Sequence, residues 1–176
     1  MGVYKVSLIG PTGVGKTSIQ MKVAENKFIE QIKSTVGVTF ARKEKKVGDK
    51  TITMQIWDFG GQLRFQVISD ILVKGSHAVL LIFDVTRPRT LSELTTRWLK
   101  LVQENITPST ILFLVGNKID LPKKVEQKEI DDVINKYGFK YFETSAKTGQ
   151  GLENVFDELA TRLSVIEPTK TYHIKI

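Results

Sequence analysis

The sequence predicts an α/β fold: a six-stranded, mostly parallel sheet with one antiparallel strand and helices on both faces. Three observations lead there. Apolar stretches of strand length alternate with stretches of helical periodicity along nearly the whole chain. Two of the strand-like stretches, "HAVLLIFDV" and "TILFLVGNK", are continuous apolar runs, as strands covered on both faces require. One adjacent pair, "GVTFARKEKKV" and "TITMQIWD", is joined by the turn signal "GDK", so a single hairpin interrupts the alternation.

The elements follow in order. "VYKVSLIG" reads as a buried strand and "KTSIQMKVAEN" as a helix turning Ile19, Met21 and Val23 inward. In the second hairpin strand Ile52, Met54 and Ile56 alternate with polar residues. "TLSELTTRWLKLVQEN", "EQKEIDDVINKYG" and "LENVFDELATRLSVI" have helical periodicity, and a short strand, "KYFETSA", separates the last two. Pro168 is expected to end the final helix, dividing the chain into a domain over 1–167 and a tail over 168–176. In sheets of this kind ligands bind beyond the carboxyl ends of the strands, and every motif below falls there.

Composition narrows the class. A chain of 176 residues with 41% hydrophobic and 26% charged residues suits one domain with a sizeable core. No cysteine occurs, so disulfides, thiolate zinc sites, a cysteine nucleophile and lipid attachment to cysteine are not expected. Val6, where a myristoylated Gly2 would call for Ser or Thr, argues against that anchor too. The longest apolar stretch, Ala78 to Phe83, is too short to span a bilayer, and no secretory signal is seen, so a cytoplasmic location is expected; a monomer is expected as well. Net charge is +7, with Arg42, Lys43, Lys45, Lys46 and Lys50 in one stretch and Lys123, Lys124 and Lys128 in another. These fit a solvated face, or failing that an acidic partner or peripheral contact with an anionic membrane. No aromatic residues interleave with the lysines, so nucleic acid is not expected.

"GPTGVGKT", Gly10 to Thr17, carries the first chemical signal. It matches G-x-x-x-x-G-K-[ST] between a strand and a helix. Backbone N–H groups of Gly13, Val14, Gly15 and Lys16 can wrap a β-phosphate at the helix N-terminus. Lys16 would reach the β- and γ-phosphates, Thr17 would offer a hydroxyl to Mg²⁺, and Ser18 belongs to the same binding set. A phosphate loop does not choose a base. "GNKID" ends one strand and "TSAK", Thr144 to Lys147, ends another. Asp120 can accept from guanine N1–H and N2–H₂ together, Asn117 can hold the N7/O6 edge, and the Lys118 stem can lie along the ring. The Ala146 N–H can reach O6, with Ser145 and Lys147 flanking it. Adenine has no donor at N1, so it would leave a desolvated carboxylate unpaired.

With these motifs in order, the chain resembles a small GTPase of the Ras superfamily over nearly its whole length. The resemblance implies a G domain of the P-loop NTPase fold that binds GTP or GDP with Mg²⁺ and hydrolyses GTP slowly without an activating partner. "NKF", "STVGVTF", "QIWD", "KGSHAVLLIFDVT" and "GNKIDL" are similar to the Rab group, whereas "DFGGQ" departs toward the Arf group. The family pattern implies that Asp58 and Thr35, together with Thr17, serve Mg²⁺. It implies that the Gly61 N–H meets the γ-phosphate and that Gln62 orients the attacking water. Gly60 replaces the usual alanine and is expected to loosen this loop when the γ-phosphate is absent. Phe28 resembles the aromatic beside the guanine edge, with a plain core residue as the other reading. Phe40 and Trp57 match aromatic positions used in partner recognition, with strand packing as the alternative. Thr12 stands where the Ras group has glycine, which leaves acceptance of a partner's arginine open.

The expected activity is therefore a switch: the γ-phosphate orders two loops, hydrolysis releases them, and effector, exchange and activating proteins read the difference. A GTP-bound scaffold with little hydrolysis is the alternative. A P-loop metabolic kinase is the third, with no acceptor domain or lid to support it.

Overall fold

The computed structural model describes residues 2–25, 37–59 and 73–168. Within them lie strands β1 (Gly2–Ile9), β2 (Val38–Val47), β3 (Lys50–Phe59), β4 (Ala78–Asp84), β5 (Ile111–Asn117) and β6 (Lys140–Thr144). They form one six-stranded sheet in the order β2-β3-β1-β4-β5-β6. Only β2 and β3 pair antiparallel; their two-residue connection is Gly48–Asp49, closed by the pair Val47 and Lys50. The other neighbours run parallel. The expected fold class is the observed one.

Four helical elements are described: α1 (Lys16–Glu25), α2 (Pro88–Glu93, Leu94–Trp98 and Leu99–Asn105 in succession), α3 (Gln127–Tyr137) and α4 (Leu152–Leu163). The period-2 alternation of β4 explains its unbroken apolar run. Leu80 and Ile82 join a core with Ile19 and Val23 of α1 and Val155, Phe156 and Leu159 of α4. Val79, Leu81 and Phe83 face the other way, onto Leu91, Leu94, Trp98 and Val102 of α2 and Ile130 of α3. Local chemistry sets the ends of α3: Glu126 and Glu129 form a reciprocal capping box, and Gly138 closes the helix in the left-handed conformation at φ 70°.

Three details differ from the expectation. In α1 Met21 is half-buried, and Gln20 is the buried residue beside Ile19. The Gln20 amide donates to the carbonyls of Thr39 and Ile56 and accepts from the Thr39 hydroxyl, tying α1 to the hairpin. The final helix stops at Leu163 and not at Pro168. Beyond it the Ser164 hydroxyl bonds the Thr161 carbonyl, and the Tyr4 hydroxyl donates to the Ile166 carbonyl at 3.0 Å, so the chain packs back on β1 as non-helical backbone. The middle of α2, Leu94–Trp98, is π-helical. Thr95 and Thr96 hydroxyls there bond the carbonyls of Leu91 and Ser92, supplying partners where the ladder widens. Among the described residues no helix is long and apolar enough to cross a membrane.

This topology brings the segments after β1, β4, β5 and β6, and the last residues of β3, to one edge of the sheet.

Candidate functional site

Gly10 to Thr17 leave β1 and turn directly into α1. Gly15 sits at φ +101°, and a Cβ there would lie 2.3 Å from Asn117 Nδ2. No side chain fits, so the glycine permits the close approach of two segments. Lys16 is buried, and its ammonium donates to the carbonyls of Gly10 at 2.8 Å and Pro11 at 2.9 Å. Burial pushes its pKa down to about 8, against the opposing pull of Asp58 and Glu93. The lysine is thus stored in a hollow that lacks full compensation for its charge. Thr17 donates its hydroxyl to Oδ2 of Asp58, which is fully buried near the end of β3. Ser18 follows, half-buried, in the first turn of α1. A hydroxyl and a carboxylate meeting beside a phosphate loop form the oxygen donor set that a hard divalent cation takes.

The segment after β5 reaches across to this loop. Asn117 is 1% exposed; its Nδ2 donates to the Val14 carbonyl at 2.9 Å, and its Oδ1 accepts from the Thr144 hydroxyl and the Ala146 N–H, both at 3.1 Å. Both ends of the amide, expected to face a base, are engaged with protein, and so is the Ala146 N–H expected at a base oxygen. Asn117 braces three segments at once. Lys118 takes the left-handed conformation at φ 73°. This aims its ammonium back at the Gly13 carbonyl and at Oδ2 of Asp84, 2.7 Å from each. Asp120 is exposed, and one oxygen accepts from the Ser145 hydroxyl at 2.5 Å, which fixes the carboxylate's direction. Lys147 lies exposed after Ala146.

Two residues that the sequence reading passed over complete the arrangement. Asp84, at the end of β4, is 1% exposed and takes Lys118 and Arg87 on Oδ2 and Thr86 on Oδ1. Burial would raise its pKa, but the hydrogen bonds from Lys118, Thr86 and Arg87 outweigh that and hold it below the ordinary carboxylate value. Arg87 also donates to the Thr12 carbonyl at 3.3 Å. Their signal was the "DVTR" spacing at the carboxyl end of a strand, where ligand sites gather. The carbonyls of Thr12, Gly13 and Val14 are therefore held from outside by Arg87, Lys118 and Asn117 in turn. In a trans peptide the following N–H points opposite to the carbonyl. The N–H groups of Gly13, Val14 and Gly15 are thereby turned toward the inside of the loop.

Phe28, Thr35, Gly61 and Gln62 lie outside the described residues, as does Gly60. Phe40 and Trp57 face one another across β2 and β3 with ring centroids 5.5 Å apart. Phe40 remains 66% exposed, more than strand packing asks for. Part of the basic stretch is neutralised internally: Lys43 and Lys45 pair with Glu153 of α4, and Lys45 also with Asp157.

Comparison with known proteins agrees with this geometry. The Ras family model matches residues 5–165. Relatives include Ras-related protein RABA1c of Arabidopsis thaliana, 37% identical over 96% of this chain and 78% of that one. Ras-related protein Rab-1 of Theileria parva is 35% identical over 92% of this chain and 74% of its own. Ras-related protein YPT3 of Nicotiana plumbaginifolia is 37% identical over the same shares. With a matched model that covers nearly the whole chain and Rab proteins as relatives along its length, the chain belongs to the Ras family of small GTPases and is Rab-like.

Proposed function

We propose that the chain is a GTP-dependent switch whose nucleotide lies along the edge formed by the phosphate loop, the "GNKID" segment and the "TSAK" segment. The observation that carries this is the coupling of the three: Asn117 touches both of the others, and Lys118 touches the phosphate loop. A ligand that spans a phosphate site and a base site finds both already joined, so little ordering remains to be done on binding.

In this reading the inward N–H groups of Gly13, Val14 and Gly15, with the Lys16 N–H that opens α1, receive the β-phosphate. Lys16 exchanges its two carbonyl partners for phosphate oxygens, which restores a full counter-charge to a buried ammonium. Ser18, in the same first turn, is assigned to the same binding set. Thr17 and Asp58, with Thr35, would hold Mg²⁺, which when bound neutralises phosphate charge. Asp120, aimed by Ser145, accepts from the guanine N1–H and N2–H₂ edge. Ala146 and Lys147 close that side, the Lys118 stem covers the ring, and Phe28 is assigned to its edge. Gly61 and Gln62, from the Arf-like "DFGGQ" stretch, are assigned to the γ-phosphate and the attacking water.

Exposed Phe40 beside Trp57 is the described part of the surface offered to effector, exchange and activating proteins. The G domain occupies 1–167, acting as a monomer in the cytoplasm, with any membrane contact peripheral. The test is a single-turnover time course on preloaded GTP, wild type against Gln62→Leu, with nucleotide off-rates measured in parallel. Hydrolysis should fall in the variant while GTP release barely changes, because a contact made in the transition state affects turnover more than ground-state binding. Equal hydrolysis rates would remove Gln62 from the mechanism and favour a scaffold.

A further inference from the structure

We infer that Arg87 is a positioning residue for the phosphate loop: it latches the Thr12–Gly13 peptide so that the Gly13 N–H faces the β-phosphate, and it thereby slows nucleotide release. The inference rests on the nucleotide-binding reading above and adds a residue to it.

The latch is built from both ends. On the protein side the main chain of Arg87 is locked. Its N–H donates to the Asp84 carbonyl at 3.0 Å, its own carbonyl accepts from the Thr90 N–H and hydroxyl, and Pro88 opens α2 immediately after it. Its Nε donates to Oδ2 of buried Asp84 at 2.9 Å, which orients the guanidinium plane. The far nitrogen, Nη2, then reaches the Thr12 carbonyl at 3.3 Å. The planar fork of arginine suits such a bridge because one rigid group makes both bonds.

On the loop side the same guanidinium covers Gly13. A Cβ at Gly13 would stand 3.3 Å from Nη2 and 3.9 Å from Cζ. The loop peptide therefore lies directly against the arginine. With the Thr12 carbonyl bonded outward, the Gly13 N–H of the same peptide points inward. Lys118 and Asn117 do the same for the next two peptides, but they belong to the base-binding segment. Arg87 comes from a different element, and its side chain is 46% exposed, whereas Lys118 is 32% exposed. It is the most accessible of the three braces and the one that solvent ions reach most easily.

The consequence is selective. Loosening the Thr12–Gly13 peptide weakens only ligands that use the Gly13 N–H. A diphosphate or triphosphate does so; a monophosphate, which has no β-phosphate, does not. A residue that merely stabilised the fold would affect both alike.

The experiment compares wild type with Arg87→Ala and Arg87→Gln. Release of fluorescent GDP is followed by stopped flow, and GMP affinity is measured by displacement. The expected result is GDP release about tenfold faster in both variants, the size of one charge-assisted hydrogen bond discounted for partial exposure, with GMP affinity unchanged. Raising salt should speed GDP release from wild type and leave the variants nearly unaffected. Arg87→Gln carries the test if the alanine variant does not fold, since its shorter uncharged amide cannot span Asp84 and Thr12 together. Unchanged GDP release, or equal losses for GDP and GMP, overturns the latch. Wild-type protein that binds no GDP overturns the nucleotide-binding reading itself, a result that cannot be mistaken for the first.

Discussion

Replacing Asn117 with alanine should damage the site and the fold together, and the structure sets the size. The side chain is 1% exposed and makes three hydrogen bonds, to the Val14 carbonyl, the Thr144 hydroxyl and the Ala146 N–H. All three partners belong to residues that are themselves buried, at 0% for Val14 and Thr144 and 3% for Ala146. Alanine leaves each of them without Asn117. At about 1 kcal/mol for each lost partner, and more where water cannot enter, the cost is roughly 3 kcal/mol. For a domain of this length that corresponds to a fall in Tm of about 6–12 °C in the nucleotide-free protein. Freeing the Val14 carbonyl also releases the Gly15 N–H from its inward orientation, so GDP affinity should drop by at least about tenfold. Thermal melting without nucleotide and titration with fluorescent GDP read the two effects separately. A Tm within about 2 °C of wild type, with unchanged GDP affinity, would show that the Asn117 contacts do not brace the site.

Three further outcomes follow from the same geometry. Lys16 is pushed down to about 8, so between that pH and its ordinary value near ~10.4 the unfolded chain holds a proton that the empty fold lacks. This residue therefore adds stability to the nucleotide-free protein as pH rises through that window. Phosphate binding needs the charged form, so GDP affinity should fall there, approaching about tenfold per pH unit; a flat affinity profile from about pH 7.5 to 9.5 would refute the lysine's role. Lys5, also pushed down to about 8 by burial, contributes to the stability curve but lies outside the proposed nucleotide contacts. Asp120→Asn should weaken GTP and improve binding of xanthosine triphosphate, because the amide suits a 2-oxo purine; unchanged competition by the two would take Asp120 out of the base site. Thr17→Asn should cost more affinity for GTP than for GDP in magnesium. Equal wild-type GTP affinity in magnesium and in excess chelator would remove the metal from the Thr17–Asp58 pair.

What the sequence made legible was what is contiguous. "GPTGVGKT" and "GNKID" carry their chemistry in adjacent residues, and the alternating elements around them put both at the carboxyl edge of the sheet. Asp58 was legible only through the family pattern; that β3 lies beside β1 and brings it to Thr17 is seen in the fold. Contacts between distant segments were not. Nothing in "DVTRP" says that Arg87 bends back to Thr12, since that depends on the spacing of β1 and β4 and on buried Asp84. Asn117 was assigned to a base, while its pairing with Val14 and Thr144 needs the neighbouring strands in place. Gln20 broke the helical pattern of α1 because a buried amide satisfied by Thr39 and Ile56 costs little, and periodicity counts only apolar residues. The lysines of β2 looked like a solvated face until α4 brought Glu153 and Asp157 beside two of them.

The central claim is that one guanine nucleotide joins the phosphate loop to the Asn117–Asp120 segment. Competition for the site tests it most directly: protein loaded with fluorescent GDP is challenged with unlabelled GDP, GTP or ATP. GDP and GTP should displace the label at near-stoichiometric concentration. ATP should fail even at about 10³-fold excess, since adenine leaves the Asp120 carboxylate without its donors. Displacement by ATP at the same concentration as GTP would contradict the account.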